Sequence, residues 1–411
     1  ISEESFIKDN FSFIDNLKIR GSYGSLGNQA MDDLGNFPYL ATYGTNSSYN
    51  YLINGSKPVI VKAPGLVAPD FTWETVTQMD FGFDASFLNN RLTGTFDWYR
   101  RNTKDMLVAG ATLPATLGAS VPKSNSADMK TIGWELSLGW NDRLENGFSY
   151  WVKGVLSDYQ ATITKYAGND AGFYSQSDDD GKYYVGQKIG EIWGYHSNGL
   201  FQSDDEAATI DQSELYAGKW GAGDVKYEDL DNDGKITKGE ETIYNPGDKS
   251  IIGNKTPRYQ FGITVGFDYK NFDFEMFWQG TGKRDYMLSG AQFWGFTSQW
   301  DVPYTPALDY WTETNTDAYF PRPGWQNGGN RVTSDRYLQS AAYGRLKNLT
   351  VGYTIPKNLT TKWGISRLRL YVTGENLLTI TPLNDAFDPE TLGGMTYPIN
   401  RKVAIGLNLT L

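Results

Sequence analysis

Between Gly223 and Glu241 the chain reads GDVKYEDLDNDGKITKGEE, the one stretch where hard oxygen ligands are both dense and ordered. Asp229, Asp231 and Asp233 recur at alternate positions, Gly234 follows, and Glu240 stands twelfth counting from Asp229. This is the spacing of an EF-hand-type calcium loop. Three carboxylates at alternate positions of a tight turn converge on one point. Gly234 permits the backbone reversal, the Lys235 carbonyl can join, and Glu240 can close the site with two oxygens. The spacing therefore predicts a Ca2+ ion held by Asp229, Asp231, Asp233, Lys235 and Glu240. The flanks VKYE and TIYN read as extended, so such an ion would hold a loop in shape and would not open a pair of helices.

Little else in the chain points to catalysis. His196, in GEIWGYHSNGLF, is the sole histidine, and no sequence spacing around it marks a Ser-His-Asp arrangement. The 48 acidic residues contain no pair whose spacing singles out a glycosidase. No catalytic residue is predicted, and the chain reads as a non-enzyme. With no cysteine, thiol catalysis, disulfides and Cys zinc sites are excluded. A net charge of −11 argues against a phosphate-tracking face and hence against nucleic acid. Many aromatics lie outside the periodic stretches: Trp193, Tyr195, Trp220, Trp294, Trp300, Tyr310, Trp311 and Trp325. They suit either stacking on sugar rings or peptide side chains, or packing of loop against loop.

The elements that must position these groups are strands. Aromatics make up 15% of the 411 residues and glycine contributes 45, a composition suited to pleated surfaces and turns. From Arg258 to Tyr269 the odd positions are Tyr, Phe, Ile, Val, Phe and Tyr, and the even ones are polar or glycine, a strict period of two. Lys270 and Asn271 turn this strand into a return strand with Phe272, Phe274, Met276 and Trp278 on one face. The same alternation marks Leu17–Ser25, Trp73–Phe87, Arg91–Lys104, Met129–Trp140, Phe148–Tyr159, Tyr343–Ile355, Leu368–Leu377 and Val403–Leu411, giving ten strands. Leu346 is out of phase with Leu349, Val351, Tyr353 and Ile355, which predicts a bulge near Lys347 and Asn348. The alternative turns Arg345 and Lys347 toward the apolar side.

Strands of this length exceed the usual ~5–6 residues of soluble sheets and reach the ~9–11 needed to cross a bilayer obliquely. No run approaches the ~18–20 apolar residues of a membrane helix. The connections alternate between short (87–91, 141–147, 270–271, 355–366) and long (26–71, 107–127, 165–257, 284–342, 379–401), as in a membrane barrel with periplasmic turns and extracellular loops.

Several blocks resemble the SusC/RagA-type TonB-dependent outer-membrane transporters: WETVTQMDFGFDASFLNNRLTGTFDWYRRNTKDML at Trp73–Leu107, GDVKYEDLDNDGKIT, IIGNKTPRYQFGITVGFDYKNFDFEMFWQGTG, YGRLKNLTVGYTIP, SRLRLYVTGENLLTIT and YPINRKVAIGLNLTL. The resemblance implies an all-β, antiparallel up-and-down transmembrane β-barrel of about 22 strands around a plug. Residues 1–411 would form its C-terminal portion, with 165–257 a long extracellular loop, and the plug and N-terminal strands would lie outside the chain. It further implies import of oligosaccharides or peptides across the outer membrane of a Gram-negative bacterium. The implied partners are the TonB complex, acting through the N-terminal part, a SusD-like surface lipoprotein lid and outer-membrane lipid. A second reading from the residues alone is a secreted calcium-binding β-sandwich adhesin or glycan-binding module, whose apolar strand faces would turn inward.

Overall fold

The computed structural model describes the chain from Glu3 to Leu411 except residues 5–7, 12, 29–36, 38, 47–51, 63, 70, 110–113, 115, 117, 120, 168, 170–171, 174–182, 394–396 and 398. Its main element is one antiparallel sheet of ten strands: β1 (Ile14–Asn28), β2 (Glu74–Phe87), β3 (Leu92–Ala109), β4 (Lys123–Arg143), β5 (Ser149–Tyr166), β6 (Arg258–Tyr269), β7 (Phe272–Lys283), β8 (Tyr343–Thr354), β9 (Arg367–Ile380) and β10 (Lys402–Thr410). Each strand pairs with its neighbours in sequence, so the sheet is a meander whose edges are β1 and β10. The turns 88–91, 144–148 and 270–271 are tight and share one end of the sheet with the helical connection 355–366, and the connections 29–73, 110–122, 167–257, 284–342 and 381–401 leave from the opposite end.

Register separates the two faces. Ile19, Phe83, Phe96, Leu136, Leu156 and Phe261 stand opposite one another across six strands. One residue along, Arg20, Gly82, Asp97, Glu135, Ser157, Gln260, Thr281 and Tyr343 form a row on the other face. With a side-chain period of two, one face is a continuous apolar band and the other is polar. The apolar band is exposed: Phe81 is 53% accessible, Val372 47% and Ile405 84%. Among the described residues no second layer covers it. On the polar side Asp273 is ion-paired to Arg369, Arg101 donates to Gln78, and Asp97 stands opposite Glu135.

Strands β3 and β4 run past the stretches in which the alternation is legible. Asp105 adopts a positive φ of 57°, and the β3–β4 register shifts between Thr103 and Met106. Beyond that irregularity the side chains no longer follow the lower period. Ala127, Ile163 and Tyr166 instead form a small packed cluster with Met106, Val108 and Met129.

The bulge in β8 is where the phase break predicts it. Trp278 pairs with Leu346 and Phe277 with Asn348, so Lys347 is the extra residue. Both Arg345 and Lys347 face the polar side, where they meet acidic groups described below, and the alternative placement against the apolar side is not adopted.

The main packed core is not under the sheet. Tyr195, Leu200, Val225, Tyr227, Ile236, Leu288, Phe293, Trp294, Phe320, Tyr337, Leu383, Phe387 and Leu392 cluster together, and all come from the connections β5–β6, β7–β8 and β9–β10. Burying such side chains stabilises by about 1.5–3 kcal/mol each, enough to let these long connections fold as one cap at one end of the sheet.

Candidate functional site in the loop cap

Polar anchors tie the cap together where apolar packing alone would leave backbone groups unpaired. Asp224, fully buried, accepts from Arg322 Nε at 2.9 Å and Nη2 at 2.6 Å, from Asn330 Nδ2 at 2.8 Å and from the Gly221 amide at 2.9 Å. This joins the β5–β6 and β7–β8 connections by a forked, charge-assisted pair. The buried Gln212 donates to the Val225 carbonyl and accepts from the Tyr227 amide. Tyr227 in turn donates its hydroxyl to Gly329 O at 2.7 Å. Burial pushes the phenol of Tyr227 far up its titration range, so it stays a neutral donor. Arg331 donates to the carbonyls of Phe296, Gly324 and Trp325 and draws two neighbouring loop segments together.

This architecture sorts the loop aromatics. Trp193 is buried and stacked on Phe173, with ring centroids 3.9 Å apart. Tyr195 and Trp294 belong to the main core, and Trp220, Tyr310 and Trp311 pack against it. Of the eight loop aromatics singled out in the sequence, Trp300, at 82%, and Trp325, at 47%, are the exposed ones. In the same stretch as Trp300, Val302, Tyr304 and Leu308 are exposed too.

The acidic loop sits on the flank of the cap, pinned by the fully buried Ile236 and by the bridge between Asp211 and Lys235. Carboxylate oxygens of Asp229, Asp231 and Asp248 lie within 4.8 Å of one another. Asp233 instead turns an oxygen onto the Lys235 amide at 2.8 Å. Glu240 is exposed, its amide bonded to Asn245 O, and its carboxylate is not part of the trio. Asp248 was not legible in the motif because it lies beyond the twelve-residue frame. It is 1% exposed and accepts from the amides of Leu230 and Thr237, which turns it into the loop. Loss of solvent and the charges of Asp233 and Asp248 raise the Asp231 carboxyl above its ordinary value, and its hydrogen bond with Asp229 acts the same way. For Asp229 loss of solvent works upward but is outweighed, chiefly by N–H donation from Gly234, Asn232 and Asp233, and its carboxyl lies below the usual value. Crowded carboxylates of this kind are the donor set of a hard cation, which would relieve their repulsion.

On the polar face of the sheet, rings lie flat across glycines of the next strand: Tyr99 over Gly133, Trp151 over Gly266 and Tyr371 over Gly406. A Cβ at any of the three would stand inside the ring's contact distance. Large aromatics thus line the wall without projecting from it.

Comparison with known proteins follows the same lines. Residues 10–377 match the family model described as TonB dependent receptor-like, beta-barrel. TonB-dependent receptor P3 of Formosa agariphila is 29% identical over 445 aligned residues, covering 100% of this chain and 40% of that protein. TonB-dependent receptor SusC of Bacteroides thetaiotaomicron is 26% identical, covering 100% of this chain and 39% of that protein. The chain thus spans about two fifths of the length of the curated relatives it matches. Among solved structures, the RagAB peptide importer in its open-open state superposes with a TM-score of 0.74 at 22% identity, over 98% of this chain and 42% of that one, a likeness of fold. A family match across most of the chain, a ten-strand meander with an exposed apolar band and the SusC/RagA-like blocks agree, and the chain belongs to the TonB-dependent receptor β-barrel family.

Proposed function

We propose that this chain forms the C-terminal wall and much of the extracellular cap of an outer-membrane importer for oligosaccharides or peptides. The observation that carries this reading is the placement of apolar surface. Ten strands leave one apolar face uncovered, while the packed core lies in the loops at one end. A sandwich would do the reverse and bury that face against a second sheet. A barrel wall puts it against lipid and turns the polar face to a lumen. The family supplies the energy coupling, through the TonB complex acting on the N-terminal part. A SusD-like lipoprotein would close over the cap, where Trp300 and its exposed neighbours offer contact area.

The acidic loop is read as a calcium staple within this cap, with Asp229, Asp231 and Asp248 as its converging carboxylates and Asp233, Lys235 and Glu240 as the further donors of the motif. When bound, the ion would supply charge neutralisation and loop rigidity, and no transport step passes through it.

The test is fractionation and uptake with the whole protein. The reading expects extraction from outer membranes only with detergent, co-purification with a surface lipoprotein, and loss of growth on particular oligosaccharides or peptides when the gene is deleted. Release into buffer without detergent would overturn it in favour of a secreted calcium-binding sandwich module.

A further inference from the structure

We propose that Ser250, His196 and Asp335 form an activated-serine centre on the loop cap, able to take acyl groups from carboxylic esters. His196 Nδ1 lies 2.7 Å from Asp335 Oδ2, and its Nε2 lies 2.7 Å from Ser250 Oγ. The three come from distant parts of the chain, with separations of 139 residues between His196 and Asp335 and 54 between His196 and Ser250.

Backbone pairing sets the arrangement. The short strand Glu191–Tyr195 pairs antiparallel with Lys249–Asn254, placing Ser250 opposite Gly194. On its other side Tyr195 bridges Ser334 in parallel, with the Asp335 amide donating to Tyr195 O. His196 therefore leaves the middle of three adjacent segments, with the serine on one neighbour and the aspartate on the other. The second oxygen of Asp335 accepts from the Ser197 amide at 2.9 Å, which fixes the carboxylate against the imidazole.

The chemistry follows from these partners. An ionised carboxylate only accepts, so Nδ1 carries the proton and Nε2 presents a lone pair to the Ser250 hydroxyl. This is the tautomer in which histidine serves as general base. The imidazole is 34% exposed and Asp335 39%, and Ser250 is half-buried, so the centre borders solvent. In the first step Ser250 Oγ bonds to the acyl carbon as its proton passes to Nε2. The ester C–O bond then breaks, and the leaving alcohol takes that proton. In the second step water gives a proton to Nε2 and its oxygen bonds to the acyl carbon. The Ser250 ester bond breaks, Ser250 recovers the proton, and the carboxylic acid departs. Asp335 is a positioning residue that acts through the histidine.

The experiment uses the full-length protein in detergent micelles with a fluorophosphonate reporter, whose P–F bond is exchanged for a P–O bond to an activated serine. The expected result is a single adduct on Ser250 in peptide mass spectrometry. The adduct should be absent after heat denaturation and in Ser250→Ala, and should form at least about 10²-fold more slowly in His196→Gln, the contribution of a positioned general base. Asp335→Asn should slow labelling and Asp335→Glu should restore part of it, whereas a merely structural carboxylate would alter loop protection in hydrogen exchange without this rescue. No adduct on the native protein, an adduct at another residue, or equal labelling rates in the wild type and a His196→Gln protein that retains native loop protection would each overturn the proposal.

Discussion

Arg345 reaches from the rim of the sheet to Asp388 in the β9–β10 connection, Nη2 to Oδ2 at 2.6 Å, with its side chain 3% exposed. The contact is double, because Lys347, two residues further along the strand, points to the same side and meets Glu390 at 3.0 Å. Arg345 also donates to Thr379 Oγ1 on β9. The barrel rim and the last long loop are therefore joined through buried charge, and removing one partner of such a pair leaves the other uncompensated.

Arg345→Met should free the segment around Leu383, Phe387 and Leu392 from the sheet at a cost of about 3–5 kcal/mol. Hydrogen exchange is expected to show lost protection across 383–392, with β6 and β7 protected as before. Unchanged protection in that segment would show that the apolar contacts of the loop suffice to hold it.

Trp151 lies flat because Gly266 gives it room, so Gly266→Ala must lift the ring toward the lumen. An overpacked site of this kind costs about 1–3 kcal/mol. The variant should unfold at lower urea in a heat-modifiability assay, whereas Gly154→Ala, whose Cβ meets nothing within 4 Å, should match the parent protein.

Calcium should protect the acidic loop without holding the barrel together. With a chelator, protease is expected to cut within 229–248 while the sheet stays resistant, and the double change Asp229→Asn and Asp231→Asn should abolish calcium binding by titration calorimetry. Equal cleavage with and without chelator would remove the staple from this picture.

Glu206 accepts from the Gln202 amide at 2.7 Å and from Lys226 Nζ at 2.9 Å, and in that order these hold its carboxyl below the ordinary 4.5. A group whose folded value is depressed stabilises the fold above its unfolded value, and that contribution is lost as pH falls through the folded one. Amide protection at 202–208, taken relative to the intrinsic exchange rate at each pH, should therefore be steady from neutrality down to about pH 5 and should weaken as pH drops below the ordinary value of 4.5. In Glu206→Gln this acid-dependent change should shrink.

The strands and their faces were legible in the sequence because a strand's side-chain period is local: Arg258 to Tyr269 alternates in the chain as it does in the sheet. The bulge at Lys347 was legible for the same reason, as a break in phase. The extension of β3 past Lys104 was not, since it follows a kink at Asp105 and is held by contacts with β4 and β5.

Loop aromatics such as Trp193 and Trp300 look alike in the chain, and only the folded cap buries one and exposes the other. The carboxylate motif from Asp229 onward could be read from spacing, yet Asp248 joined the cluster through amide bonds made by a returning loop. Likewise His196 was conspicuous as the sole histidine, but its partners Ser250 and Asp335 are brought to it by strand pairing across long connections. Periodicity and spacing act between near neighbours and are written in order along the chain. Burial and convergence act between segments far apart in sequence, so only the tertiary structure could decide them.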